Sequence, residues 1–140
     1  MKRLFTPSVI VSLLLFVTSC NTDENNLDDC SGSCTTEFKI ITVSIVDFNS
    51  EPVSLDSFKV TDVSNDMDVT PSNSVFSLEE AQELGEYPIV TDGSIELHNS
   101  MELKFQGFID SNEVVNSNYV AQEECCGVSL LSGDLNLTTE

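Results

Sequence analysis

The chain has no tryptophan, one histidine, and only five lysines and arginines against 24 aspartates and glutamates in 140 residues. Two of the basic residues, Lys2 and Arg3, stand at the N-terminus; without them three basic residues face 24 acidic ones, a net charge of −21. Such a surface repels polyanions and argues against nucleic acid as a partner. The absence of tryptophan leaves few side chains on which a sugar ring could stack. An apolar fraction of 40% is nevertheless enough for a folded core.

Groups that usually carry out catalysis are also scarce. The sequence holds neither a Gly-Xaa-Ser-Xaa-Gly motif nor a glycine-rich phosphate-binding loop. The single histidine, His98, stands beside Asn99 and Ser100, which is typical of a solvated turn rather than of a general base. Two carboxylates could hydrolyse a glycosidic bond, but among 24 acidic residues the proximity of two indicates nothing. We therefore expect a protein that is not an enzyme and needs no cofactor.

The first 19 residues are organised like a signal peptide. Lys2 and Arg3 form a short positive start, and residues 4–17 are mostly apolar. This run is shorter than the roughly 20 apolar residues that cross a ~30 Å hydrocarbon core. We therefore expect residues 1–19 to be removed rather than to span a membrane or to join the fold.

The apolar run ends in Val17-Thr18-Ser19-Cys20, which resembles the lipobox of bacterial lipoproteins. The resemblance implies that the Cys20 thiol carries a diacylglyceryl group, that the signal is cut before Cys20 and that the new amine is acylated. At ~0.8 kcal/mol for each buried methylene, two or three such chains would hold the protein on a membrane. The alternative is an ordinary secreted protein, cut nearby, in which Cys20 is free or paired.

A polar, acidic segment, residues 21–29, follows Cys20 and predicts a disordered tether within residues 20–35. When extended, it reaches at most ~30 Å. An acidic stretch behind the lipid-bearing cysteine also resembles the surface-export signal of Bacteroidota lipoproteins. That resemblance implies the outer membrane and display on the cell surface; the alternative is a spacer that faces the periplasm.

Four cysteines remain in the body of the chain: Cys30, Cys34, Cys125 and Cys126. An even number in an exported protein predicts disulfides, and four cysteines allow three connectivities. A bridge between adjacent residues strains the geometry that disulfides need, so we expect one or two bridges between the first pair and the second. Four thiolates could instead bind zinc, but two adjacent cysteines do not have the spacing of a zinc site.

Short segments rich in β-branched and aromatic residues recur over residues 36–140 and predict strands. In the clearest, residues 101–109, apolar and polar side chains alternate. Ser77 and Gly85 have the pattern of caps around a helical turn or two. About seven or eight short strands with minimal helix indicate an all-β fold, an antiparallel β-sandwich of the transthyretin-like or immunoglobulin-like kind. The predicted strands include 36–47, expected to be central, 74–78, and 87–91 with 95–98, joined by a hairpin turn at Asp92-Gly93.

The first predicted strand and the turn after it resemble the opening of carboxypeptidase-regulatory-like (transthyretin-like) domains. The residues that carry this resemblance are Asp47-Phe48-Asn49-Ser50-Glu51-Pro52-Val53. Residues 125–133, Cys-Cys-Gly-Val-Ser-Leu-Leu-Ser-Gly, are similar to the closing strands of small exported Bacteroidota proteins in that group. The resemblance covers about residues 36–137 and implies a non-catalytic accessory or interaction domain. Many members have a glycine in the first turn and a histidine after the cysteines. Ser50 and Gly127 stand there in this chain, so a metal role for that histidine does not carry over.

Oxygen-bearing side chains cluster between Asp62 and Asp68, and a cation would relieve repulsion in so acidic a domain. Asp62, Asp66 and Asp68 are therefore candidate calcium ligands, although the segment lacks the glycine and the terminal glutamate of an EF-hand loop. The alternative is a solvated acidic hairpin tip.

Together these patterns predict a lipid-anchored protein of the bacterial outer membrane, held to the bilayer through Cys20. We expect a non-catalytic interaction or structural module whose partner is an envelope protein or glycan. Its binding surface is expected on the loops at residues 64–68 or 110–112. The alternative function is binding of a small ligand or of Ca²⁺.

Overall fold

The computed structural model describes Cys30, Cys34 and residues 37–72 and 74–139. The predicted signal peptide, Cys20 and the acidic tether of residues 21–29 lie outside the described residues. The described part of the chain forms eight strands and one helix: β1 Ile40–Val46, β2 Ser57–Asp62, β3 Met67–Asp68, α1 Leu78–Leu84, β4 Glu86–Thr91, β5 Ser100–Ile109, β6 Asn112–Glu124, β7 Gly127–Ser132 and β8 Asn136–Thr138.

The strands form two sheets. One has three strands in the order β4-β1-β8, in which β1 pairs antiparallel with β4 and parallel with β8. The other has five strands in the order β3-β2-β5-β6-β7 and is antiparallel throughout. The predicted all-β sandwich is therefore confirmed, and β1 with β8 is the one parallel pair among the described strands.

Aromatic side chains from both sheets meet in the core. Tyr87 of β4 and Val43 of β1 are fully buried, as are Phe105 of β5 and, to within 1%, Tyr119 of β6. The ring of Phe58 lies 5.5 Å from that of Tyr87 and 5.6 Å from that of Phe105, measured between centroids. This contact between rings of opposite sheets closes the space between the two layers.

The long strands β5 and β6 fix the two ends of the sandwich. They pair antiparallel from Ser100 opposite Gln122 to Ile109 opposite Asn112. Alternation along β5 is as predicted, with apolar side chains in the core and polar ones outside. The turn between β6 and β7 therefore lies at the end where β5 begins, and the turn between β5 and β6 lies at the opposite end.

The predicted helix caps are confirmed. Ser77 accepts a hydrogen bond from the backbone N–H of Glu80, and Gly85 ends α1 in the left-handed conformation, with φ at 67°. β1 is central in its sheet, as expected, although it is shorter than the predicted segment of residues 36–47.

Two predicted strands are wrong. Residues 74–78 form a turn and the start of α1, because the Ser77 cap begins a helix there. Residues 95–98 form turns, so β4 has no hairpin partner after Asp92-Gly93 and pairs with β1 instead. The backbone N–H of Ser94 bonds to the carbonyl of Thr91, and that of His98 bonds to the carbonyl of Glu123 on β6.

Candidate functional site

Two disulfides close one end of the sandwich. Among the described residues they join Cys30 to Cys125 and Cys34 to Cys126, with Cα atoms 5.1 Å apart in each bridge. The predicted bridges between the two cysteine pairs are thus confirmed, and their connectivity is defined. The chain before β1 is tied covalently to the turn between β6 and β7. The bridges and the segments beside them are called the cysteine end, which comprises residues 37–39, 91–99 and 122–128.

Carboxylates satisfy backbone N–H groups at the cysteine end. Asp92 accepts hydrogen bonds from the N–H of Lys39 at 2.8 Å and from the N–H of Val128 at 2.7 Å. Glu123, 8% exposed, accepts one from the N–H of Gly93 at 3.1 Å. The Asp92 carboxylate joins the residue before β1 to β7. These two acidic residues therefore hold three segments of the chain together.

An open cleft of about 310 Å³ lies beside the bridges. Its charged side chains are all acidic: Glu37, Asp92 and Glu123. Phe38, 57% exposed, gives the cleft an aromatic wall. The carboxylates make the cleft unfavourable for anionic ligands.

His98 lies against one of the two bridges. A ring nitrogen of His98 and the sulfurs of Cys30 and Cys125 all lie within 4.8 Å of one another. The backbone of His98 is in the left-handed region, with φ at 62°, and its N–H donates to the carbonyl of Glu123 at 2.8 Å. His98 is exposed in a turn, as its sequence context indicated, but nothing in that context revealed its sulfur neighbours. The pairing of β5 with β6 produces this contact.

The predicted calcium ligands accept hydrogen bonds from their own loop. Asp62 accepts from the Ser64 hydroxyl at 2.7 Å and the Ser64 N–H at 2.9 Å, and these bonds lower the pKa of its carboxyl. Asp68 accepts from the hydroxyl and the N–H of Thr70, which lowers its pKa as well. Asp66 is exposed, with φ at 58°.

These three aspartates are not brought together as a metal site. In the described chain one group of three or more histidine, cysteine or acidic side chains has its ligand atoms within 4.8 Å of one another, and it is Cys30, His98 and Cys125. The two sulfurs of that group are joined as a disulfide and offer no thiolate. The calcium site at Asp62, Asp66 and Asp68 stays a prediction to which this geometry adds nothing.

The two loops expected to bind a partner lie towards opposite ends. Residues 64–66 join β2 to β3, and the N–H of Val63 bonds to the carbonyl of Glu102, near the start of β5. Residues 110–111 form the turn between β5 and β6, far from the cysteines. β1 begins at the cysteine end, where Ile40 pairs with Thr91, so the turn after β1 lies at the opposite end, and Gly85 at the C-terminus of α1 abuts Pro52 there. These segments are called the distal end, which comprises residues 47–52, 84–85 and 110–112.

The turn after β1 presents an aromatic side chain at the distal end. The Asp47 carboxylate accepts from the N–H of Glu51 at 2.9 Å and the N–H of Asn49 at 2.8 Å. These bonds, chiefly the one from Glu51, lower the pKa of Asp47. Ser50 takes a left-handed conformation with φ at 66°. Phe48, held between them, is 72% exposed and is the most exposed large apolar side chain of the described residues.

The turn between β5 and β6 is also built from left-handed residues. Asp110 and Ser111 have φ values of 50° and 65°, and the N–H of Asp110 donates to Asp56 at 2.6 Å. Non-glycine residues rarely adopt such conformations, and they concentrate at functional sites. Three of the five in the described chain belong to the distal end. The sequence signal for the first turn was the Asp47–Val53 segment; nothing pointed to Phe48 itself.

Comparison with protein-family models, with curated proteins and with solved structures finds no match for this chain. A search of the described residues for a helix long and apolar enough to cross a membrane finds none.

Proposed function

We propose that this chain is a lipid-anchored, non-catalytic interaction module of the bacterial outer membrane, held through Cys20 and displaying its distal end to an envelope protein. The observation that supports this most is the position of the bridges. They receive the chain that leads from Cys20 at one end of the sandwich, and the distal end lies at the other. The chain between the lipid and Cys30 reaches at most ~30 Å, so the cysteine end stays near the membrane and the distal end is free to face away from it.

Phe48 is the anchor residue of the proposed surface. Aromatic side chains supply much of the binding free energy at interfaces. Here the ring is exposed on a turn that the Asp47 carboxylate and the β1 backbone hold in place, so little conformational entropy is lost on binding. Asp47 and Glu51 stand on either side of it in the same turn and carry negative charge, which favours a partner with a neutral or basic rim.

The anchor is tested by the intact mass of the mature protein. We expect a chain that begins at Cys20 and carries the added mass of two or three acyl chains, and we expect Cys20→Ala to leave the membrane fraction. A mature chain without acyl mass, or a Cys20→Ala variant that still sediments with membranes, would refute the anchor.

The surface is tested by site-specific photo-crosslinking in intact cells. A crosslinker at position 48 should capture a defined protein, while one at position 38 serves as a matched control because Phe38 is also an exposed phenylalanine but lies at the cysteine end. For the captured protein, Phe48→Ala should weaken binding about tenfold or more and Phe38→Ala less than about twofold. Capture from both positions equally, or from neither, would contradict the proposal.

A further inference from the structure

The two bridges of the cysteine end have different surroundings. The Cys30–Cys125 bridge lies against the imidazole of His98, the only histidine of the chain. No ring nitrogen of His98 lies within 4.8 Å of both sulfurs of the Cys34–Cys126 bridge, and the charged side chains of the nearby cleft are all carboxylates. Each bridge joins one exposed and one half-buried cysteine, so both are open to small molecules in solution and exposure does not distinguish them.

We propose that the Cys30–Cys125 bridge is a reactive disulfide that exchanges with thiols, with His98 as the catalytic acid and base. The imidazole takes the proton of an incoming thiol, whose sulfur attacks Cys30 and forms a mixed disulfide. The bond between Cys30 and Cys125 breaks, and Cys125 leaves with the electron pair and receives the proton from His98. With a dithiol reductant, its second sulfur then displaces Cys30. The dithiol is oxidised to a disulfide, and Cys30 and Cys125 are reduced to two thiols.

The acidic surroundings make the imidazole necessary. Exchange needs a thiolate to attack and a stabilised thiolate to leave. Carboxylates such as Glu123 disfavour both, because they repel the negative charge that develops on sulfur. An imidazole can both accept and donate a proton, and at this position a ring nitrogen lies within 4.8 Å of both sulfurs, a separation that one water can bridge. The second bridge has the carboxylates without the imidazole.

The second bridge also makes the reaction reversible. When Cys30–Cys125 is open, Cys34–Cys126 still ties the chain before β1 to the turn between β6 and β7. Only three residues separate Cys30 from Cys34, and Cys125 adjoins Cys126. The two released thiols therefore stay at a high effective concentration, and an oxidant can close the bridge again without refolding.

The same carboxylates define the class of substrate. Glu37, Asp92 and Glu123 line the cleft beside the bridges, so an anionic thiol is repelled and a neutral or cationic one is not. At equal thiolate concentration and low salt, cysteamine should react faster than 3-mercaptopropionate. The difference should shrink at high salt, since the interaction is screened.

The order in which the bridges open tests the proposal. The full chain, purified oxidised, is treated with limiting dithiothreitol, quenched in acid, alkylated and mapped by mass spectrometry. We expect Cys30 and Cys125 to be alkylated about tenfold faster than Cys34 and Cys126, which is below the usual 10²–10⁴-fold effect of a positioned acid or base because the site is open to water. Equal rates, or the reverse order, would overturn the proposal.

Variants at position 98 separate chemistry from structure. Asparagine tolerates the left-handed backbone of His98, so His98→Asn should retain the fold and reduce the ratio of the two rates to about one. His98→Gly suits the same backbone, and added imidazole should restore fast opening of the first bridge alone. A His98→Asn variant with the wild-type ratio, or a His98→Gly variant that imidazole does not affect, would show that His98 takes no part.

Discussion

The cysteine end and the distal end of this sandwich are held together by different means. At the cysteine end, two disulfides and two carboxylates, Asp92 and Glu123, join segments that are far apart in sequence. At the distal end there is no disulfide within the described chain; turns with left-handed residues and exposed hydrogen bonds to aspartate carboxylates define the shape instead. Covalent cross-links thus lie where the chain enters the domain, and the end where we propose that a partner binds is held by non-covalent contacts alone among the described residues.

Removal of both disulfides should have the largest effect. Each bridge closes a loop of more than ninety residues, 95 for Cys30–Cys125 and 92 for Cys34–Cys126. One such cross-link stabilises by about 4–5 kcal/mol, but the second then closes only a ring of a few residues and adds about 2 kcal/mol. The double variant Cys125→Ser/Cys126→Ser should therefore lose about 6–7 kcal/mol, which is comparable to the whole stability of many domains.

Removal of one bridge at a time is the matched comparison. Each such variant should lose only about 2 kcal/mol of the free energy of unfolding, because the other bridge still closes the long loop. The two variants are Cys34→Ser/Cys126→Ser and Cys30→Ser/Cys125→Ser. Urea unfolding of all three proteins measures the three free energies. If either single removal costs as much as half of the double removal or more, the bridges act independently and this reasoning is wrong.

Tyr87 should be the most important single side chain for the distal end. Its hydroxyl is buried, accepts from the N–H of Leu55 and donates to the carbonyl of Val53, both at 2.7 Å. Burial raises the pKa of this hydroxyl. Tyr87→Phe leaves two buried backbone groups unpaired, each at about 1–3 kcal/mol, so we expect a loss of about 3–4 kcal/mol in urea unfolding.

Tyr119→Phe is the control for Tyr87→Phe. The Tyr119 hydroxyl donates to the carbonyl of Asp134 at 2.9 Å, and that residue is exposed, so water can replace the bond. We expect a loss of about 1 kcal/mol. Equal losses from the two variants would show that the segment at residues 53–55 does not depend on Tyr87.

Substitution of two glycines with left-handed backbones, one at each end, compares the stability of the two ends directly. At Gly85, with φ at 67°, an added Cβ would lie 2.7 Å from the carbonyl oxygen of Ile45 and 3.1 Å from Pro52. At Gly93, with φ at 76°, it would meet nothing within 4 Å. Gly93→Ala should cost about 1–2 kcal/mol for the backbone alone, and Gly85→Ala about 1 kcal/mol more because backbone must also move. Thermal or urea unfolding of both variants measures this difference, and a larger loss at Gly93 would contradict the close approach of α1 to β1.

Local patterns in the sequence predicted most of the fold. Alternation along β5 identified its inner face, and Ser77 with Gly85 identified the helix. The segment at residues 95–98 was predicted as a strand because it follows Asp92-Gly93, which is a hairpin turn signal. In the structure Ile95 is 5% exposed and Leu97 is 36% exposed, since one side chain anchors a turn and the other does not.

The sites depend on contacts that sequence spacing does not encode. His98 meets the Cys30–Cys125 bridge only because β5 and β6 pair in one register and Asn99 is bonded to Glu123. Phe48 is exposed because Asp47 and Ser50 fix a particular turn. The hydrophobicity of a residue gives no indication of either contact, whereas it does indicate which residues form the core.

The smallest expected effect concerns two aspartates in turns at different places in the sandwich. Asp47 lies in the distal end, and Asp62 lies on the turn from β2 towards the start of β5; hydrogen bonds lower the pKa of both. A carboxyl whose pKa is lower in the folded protein contributes stability above its unfolded pKa of about 3.9 and loses it as the pH falls through the folded value. Asp47→Asn and Asp62→Asn should therefore lower the melting temperature at pH 7.

The difference in melting temperature between the wild type and each variant should then close as the pH falls from about 5 towards about 2. Protonation removes the carboxylate charge from the wild type, and the substitution has already removed it from the variant. Asp62 is only 6% exposed and accepts from both groups of Ser64, so its gap at pH 7 should be the larger of the two. A gap that stays constant with pH would show that the carboxylate charge plays no part in holding the turn. A larger gap for Asp47 would mean that the distal turn depends more on Asp47 than the turn after β2 depends on Asp62.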